Sequence, residues 1–160
     1  MLRHRSVEES DLQRVCAFPK SAQELFHAYP KALYPLTALQ LKQAIEQRRD
    51  STVVELDGAV VAFANFYRWE DGVCCIGNLL VAPDARGRGV AQHLVETMIE
   101  LARLRHDAAE VQISCFNSNT AGLLLYTKLG FVPFGLEERT APDGQRVALL
   151  HMRRVVNSPK

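Results

Sequence analysis

Val81-Ala82-Pro83-Asp84-Ala85-Arg86-Gly87-Arg88-Gly89-Val90-Ala91 is the stretch on which the reading of this chain turns. An apolar run ends at Val81, and Pro83 stops it, because a proline has no amide to donate to a sheet ladder. Helical spacing of apolar residues begins just past Gly89. The two glycines let the backbone turn tightly, and the first amides of a helix have no partner inside it, so such a turn is a ready anion site. Gly87, Gly89 and Ala91 carry little or no side chain, which lets a diphosphate approach the main chain, and Arg86 and Arg88 add positive charge at the rim. On glycine content alone, a solvated turn that merely ends a strand reads the same way.

Two common phosphate loops do not fit. The dinucleotide fingerprint needs a third glycine where Gln92 stands, and a Walker A loop needs Gly-Lys-Ser/Thr, which is absent.

Outward from the turn, residues 73–81 read as a long strand, and 90–105 as the longest helix, with Leu94, Val95, Met98, Leu101 and Ala102 on one side. Residues 110–115 form a strand, and 120–129 a helix that Gly130 ends as its C′ residue. Strands over 132–139 and 145–153 flank Pro142-Asp143-Gly144. Upstream, strands over 51–56 and 59–68 are joined by Asp57-Gly58, a strong hairpin signal, and Glu70-Asp71-Gly72 turns into the next strand. The chain opens with a short strand over 2–7 and a helix over 8–16. Capping boxes at Ser21-Ala22-Gln23-Glu24 and Thr37-Ala38-Leu39-Gln40 start helices that end near His27 and Arg48. Pro30 and Pro35 bracket an irregular stretch between them.

With 160 residues, 48% of them apolar, one domain over 1–156 can bury its own core, and the polar residues 157–160 are expected to fray. Nineteen basic and 18 acidic residues leave a net charge of +1, so no general field draws the chain onto nucleic acid or an anionic membrane. Any anion must be held locally. No apolar run has the length of a signal peptide or a membrane span, and a cytoplasmic protein is expected. Cys16, Cys74, Cys75 and Cys115 match neither a zinc site nor a redox pair; they read as reduced, buried thiols, and no metal is expected.

Two patterns together carry a resemblance. Arg86-x-x-Gly89-x-Ala91 and, downstream, Asn119-x-x-Gly122-x-x-x-Tyr126-x-x-x-Gly130-Phe131 resemble the two motifs of the GNAT superfamily of acetyl-CoA-dependent N-acetyltransferases, and the order of elements agrees over essentially the whole chain. The resemblance implies an α+β, three-layer fold with a mixed, mostly antiparallel sheet of about six to seven strands flanked by helices. It implies acetyl-CoA as co-substrate, held by Leu79, Val81, Arg86, Gly87, Arg88, Gly89, Val90, Ala91 and Asn119. The acetyl acceptor is then a primary amine on a small molecule, peptide or protein, and a homodimer is compatible with it. A noncatalytic acyl-CoA sensor on the same fold is the alternative. Gly122 departs from the usual Ala; it costs up to about 1 kcal/mol of helix propensity and suits close approach of a ligand.

Amide formation from a thioester needs a neutral amine. For a lysine-like amine of pKa ~10.4 that costs about 4.6 kcal/mol near pH 7, so a base, desolvation or a water relay must help. The resemblance gives Tyr126 the task of supplying a proton or hydrogen bond to the departing thiolate, although a core aromatic fits the position too. It gives a backbone amide near Leu79 to Val81 the task of meeting charge on the carbonyl oxygen. Asn119 reads as a ligand contact, a helix N-cap, or both. The base is not legible: Asn78 stands where some relatives have Glu, and Asn cannot take a proton. Glu24, His27, Glu70 and Asp71 are the substitutes, each equally readable as surface charge. Acceptor selectivity is implied for residues 18–36, where Phe26, Tyr29, Tyr34 and the prolines can shape a pocket or pack in the core.

Overall fold

The computed structural model describes residues 1–156, and the tail expected to fray at 157–160 lies outside the described residues. Strands β1 (Leu2–Ser6), β2 (Arg49–Leu56), β3 (Ala59–Arg68), β4 (Val73–Val81), β5 (Glu110–Phe116), β6 (Val132–Thr140) and β7 (Arg146–Val155) form one sheet. Its order is β1-β2-β3-β4-β5-β7-β6, antiparallel throughout except where β4 lies parallel to β5. The helices are α1 (Leu12–Cys16), α2 (Ala22–Ala28), α3 (Ala38–Gln47), α4 (Val90–His106) and α5 (Thr120–Lys128). This is the mixed α+β architecture expected.

Asp57 and Gly58 both take positive φ, 52° and 88°, the left-handed pair that a two-residue hairpin needs to match strand twist. In β3 every residue from Val60 to Phe66 is buried, so both faces of the sheet are covered there. α4 lies along β1 to β4, while α1 and α3 pack on each other and cover β3 and β2. The helix expected over 8–16 is divided: a single 3-10 turn over Glu9–Asp11 precedes α1. Asp11 explains the break, because its carboxylate accepts from the Glu8 amide at 2.8 Å and from Arg5 at 2.8 and 3.0 Å, competing with helical bonding.

Cys74, Cys75 and Cys115 are buried free thiols and Cys16 is half-buried. Burial pushes Cys74 up to about 11 and Cys115 up to about 12, as inert small hydrophobes require. Among the described residues no helix is long and apolar enough to cross a membrane, and no group of three or more His, Cys, Asp or Glu side chains is set to hold a metal ion.

What positions the site is the way β4 leaves its parallel neighbour. The two strands pair only from Val73 to Ile76 against Glu110 to Ile113. Beyond Ile76 the register on β3 shifts: Gly77 opposes Asn65 but Leu80 opposes Phe63, so β4 carries one extra residue in this interval. That is a β-bulge, and Asn78 sits in it with φ +53°. β5 meanwhile keeps its ladder to β7 through Phe116. The sheet therefore splits between β4 and β5.

Candidate active site

A cleft of about 880 Å³ fills this split. Its walls include Leu79, Val81, Arg86, Gly87, Gly89, Val90, Ala91, Asn119, Gly122 and Tyr126. Residues 37 positions apart in sequence thus face one space, because the turn after β4 and helix α5 after β5 stand at the same end of the two parting strands.

Gly87 and Gly89 have φ of +75° and +79°, a left-handed backbone that L side chains strain to adopt. A Cβ at either would meet nothing within 4 Å, so the outer face of the turn is open. Gly89 is the N-cap of α4, and His93 is the first of the helix's residues to donate back, to the Gly89 carbonyl at 3.1 Å. The amides of Val90, Ala91 and Gln92 form the unbonded first turn of a 17-residue helix. Open space, left-handed glycines and free amides make a cradle that fits a diphosphate. The two arginines differ. Arg86 lines the cleft and donates to Glu24 at 3.0 Å, whereas Arg88 is exposed and outside the lining, at the rim.

The side chain of Asn78 is buried and fully engaged: it accepts from Asn65 at 3.1 Å and donates to the Ala28 carbonyl at 3.2 Å. Asn tolerates left-handed φ, so the residue that stands in place of a glutamate fixes the bulge. A bulge leaves a backbone group outside the ladder, and this one borders the cleft at Asn78 and Leu79.

Tyr126, 6% exposed, packs edge-on to Phe131 with ring centroids 6.3 Å apart and also lines the cleft. Burial pushes its phenol well above the ordinary value near ten. Asn119 is the N-cap of α5, accepting from the Gly122 amide at 3.1 Å. Gly122 borders the cleft, but its Cβ position faces the protein itself: a Cβ would stand 2.7 Å from Asn119 Nδ2 and 2.9 Å from Cys115 Sγ. The glycine serves close approach of α5 to β5 and to its own cap.

Of the base candidates, Glu70 and Asp71 are exposed in the β3–β4 turn, away from the cleft. Glu24 and His27 line it. Glu24 is held below the usual carboxylate range by the hydrogen bond from Arg86, and burial lowers His27, which meets Ser118 Oγ at 3.0 Å. Phe26 stacks on Phe116 at 4.4 Å and Tyr34 is exposed, so neither shapes the pocket, while Phe18, Tyr29 and Pro30 do.

Arg48, Tyr67, Ser114 and His151 are among the lining residues that were not legible in the sequence. Ser114 Oγ lies 2.7 Å from His151 Nδ1, and His151 Nε2 lies 2.9 Å from Glu137 Oε1. These three come from β5, β7 and β6, and only the strand order β5-β7-β6 aligns them. Ser114 faces His151 in the register, a cross-strand pairing that no local pattern encodes.

The parting strands, the glycine cradle and the buried tyrosine thus border one cleft. The model of the acetyltransferase (GNAT) family matches residues 14–131, more than half of the chain, and the chain belongs to that family. The structure is similar to that of a GCN5-related N-acetyltransferase from Kribbella flavida (28% identity, TM-score 0.77, covering 96% of this chain and 97% of that one). It is also similar to the ribosomal-protein-S18-alanine N-acetyltransferase from Escherichia coli (21% identity, TM-score 0.79, 100% and 97%). A third similar structure is yncA from Salmonella typhimurium with its cofactor acetyl-CoA (19% identity, TM-score 0.76, 100% and 96%).

Proposed function

We propose that the protein moves an acetyl group from acetyl-CoA to a primary amine of a small molecule, peptide or protein by direct attack in a ternary complex. The observation that carries this reading is the β4–β5 split, which puts the helix-start amides, the bulge and Tyr126 on one cleft. When bound, acetyl-CoA supplies an activated thioester.

The amides of Val90, Ala91 and Gln92 hold the diphosphate, with Gly87 and Gly89 keeping its path clear. Leu79 and Val81 flank the acyl arm, and Asn119 lies beside it while capping α5. The backbone amide freed by the bulge donates to the carbonyl oxygen, where negative charge develops. Tyr126 donates a hydrogen bond to the leaving sulfur but keeps its proton, because its raised phenol is a far weaker acid than a thiol of pKa ~8.5. The amine must lose a proton of its own as the amide forms. Ser114, His151 and Glu137 supply a route for it: Ser114 Oγ takes the amine's proton as its own passes to His151 Nδ1, the imidazole returns that proton to solvent, and the sulfur is protonated from solvent.

Release of CoA thiol, measured over a panel of amines, tests the reading. Release that requires both acetyl-CoA and an amine is expected; tight CoA binding with no turnover over the whole panel would favour the noncatalytic sensor instead.

A further inference from the structure

The cleft wall also carries a guanidinium that the reaction above does not use. Arg48 follows α3 directly, in extended conformation, which turns its side chain across the sheet to the cleft wall. Nη1 donates to Asn65 Oδ1 at 3.1 Å, and Cζ lies 5.7 Å from the ring centre of Tyr29 and 5.4 Å from that of Tyr67. Among the described residues no carboxylate comes within ion-pair distance of it, whereas Arg86, on the same cleft, is paired with Glu24.

The protein gives up a side chain to hold this cation. A Cβ on Gly77, in the middle of β4, would stand 2.7 Å from Arg48 Nη1 and 2.8 Å from the Tyr67 ring. Glycine in a strand interior weakens the strand, and close approach is the usual reason for it. Burial works against the guanidinium's charge, yet arginine stays protonated, so the charge is held half-buried without a counter-ion. One of five donors is spent on Asn65; the rest form a planar fork between two aromatic walls, a shape that matches a carboxylate.

Asn65 also links Arg48 to the chemistry, since its Nδ2 donates to Asn78 Oδ1 in the bulge. Cation and acyl site are thus separated by one buried asparagine. We propose that the acceptor is a small amino acid whose carboxylate docks on Arg48, leaving its amine directed toward the bulge. This rests on the acetyltransferase reading and names its acceptor class.

The test measures kcat/KM for α-amino acids and for the matched α-amino amides, which keep the amine and lose the anion. The acids are expected to be favoured by about 30- to 5000-fold, the range for truncating one partner of a buried charge pair. Arg48→Gln should collapse that ratio toward one, and Arg48→Lys, which keeps the charge but not the fork, should fall between; unfolding midpoints check that both variants fold. A ratio near one in the unaltered protein, or an equal loss on acids and amides in Arg48→Gln, would overturn the proposal and leave acetyl transfer standing. If no amine is turned over, the same pairs are titrated into the CoA-loaded protein by calorimetry. Preferential binding of the acids that Arg48→Gln removes would support the carboxylate site, and equal or absent binding would overturn it.

Discussion

Gly122→Ala places in this chain the residue that the resembled motif usually carries, and helix propensity alone favours the change by about 1 kcal/mol. The structure reverses the sign. The new methyl would stand 2.7 Å from Asn119 Nδ2, 3.0 Å from Asn119 Cγ and 2.9 Å from Cys115 Sγ. Asn119 cannot swing aside without giving up its 3.1 Å bond to the Gly122 amide, an N-cap worth about 1 kcal/mol. Cys115 sits in the packed interior, where an inserted methylene costs about 1–3 kcal/mol. Set against the propensity gain, the net is a destabilisation of about 1–3 kcal/mol, or roughly 2–12 °C in Tm for a domain of this size. Thermal unfolding of the two proteins, with urea midpoints as a second measure, decides it. A Tm unchanged or raised in Gly122→Ala would refute the claim that α5 is seated on its own cap and on β5.

Four further outcomes are expected. Gly89→Glu puts an anionic side chain at a +79° position on the open face of the helix-start amides; calorimetry should show CoA affinity lowered at least tenfold, and intact affinity would remove the cradle. Tyr126→Phe should lower kcat about 10- to 100-fold with little change in the KM for acetyl-CoA, across the whole assay range, since the raised phenol does not ionise within it. His151→Gln should slow turnover at pH 7 by a similar factor and recover part of it at pH 9–10, where more of the amine is already neutral; loss independent of pH would count against the relay. The hydrogen bond from Arg5 holds the Asp11 carboxyl below its ordinary value, so its contribution to stability is complete above the unfolded value of ~3.9 and is lost as pH falls through the folded one. Asp11→Asn should therefore cost about 2 kcal/mol at pH 7 in urea titrations, and progressively less below pH 4.

Much of the fold and the glycine turn at the start of α4 can be read from local sequence, because each feature has a local cause. Apolar alternation set the strands, and Asp57-Gly58 set a hairpin whose two residues take positive φ. Ser21 and Thr37 accept from Glu24 and Gln40 amides at 3.1 and 3.3 Å, one half of each expected capping box, while the returning half is replaced: Glu24 accepts from the Lys20 amide and Gln40 from the Leu33 amide. Gly87 and Gly89 are required by left-handed backbone beside the start of α4, and the spacing from Asn119 to Tyr126 places both on α5. Most of the failures have one physical reason, that a side chain's partners lie far along the chain; the exception is Asp11, whose partners are close in sequence. Asp11 broke the helix expected over 8–16 because Arg5 and the Glu8 amide reached it. Arg88 and Arg86 look alike in the motif, but only Arg86 turns into the cleft, toward Glu24. Glu70 and Asp71 lost their claim because the turn that carries them faces away from the site. What tertiary structure alone decided is the bulge at Asn78, the parting of β4 from β5, the alignment of Ser114, His151 and Glu137 across three strands, and the approach of Arg48 over Gly77. Those are matters of strand order and register, which depend on pairings between distant segments.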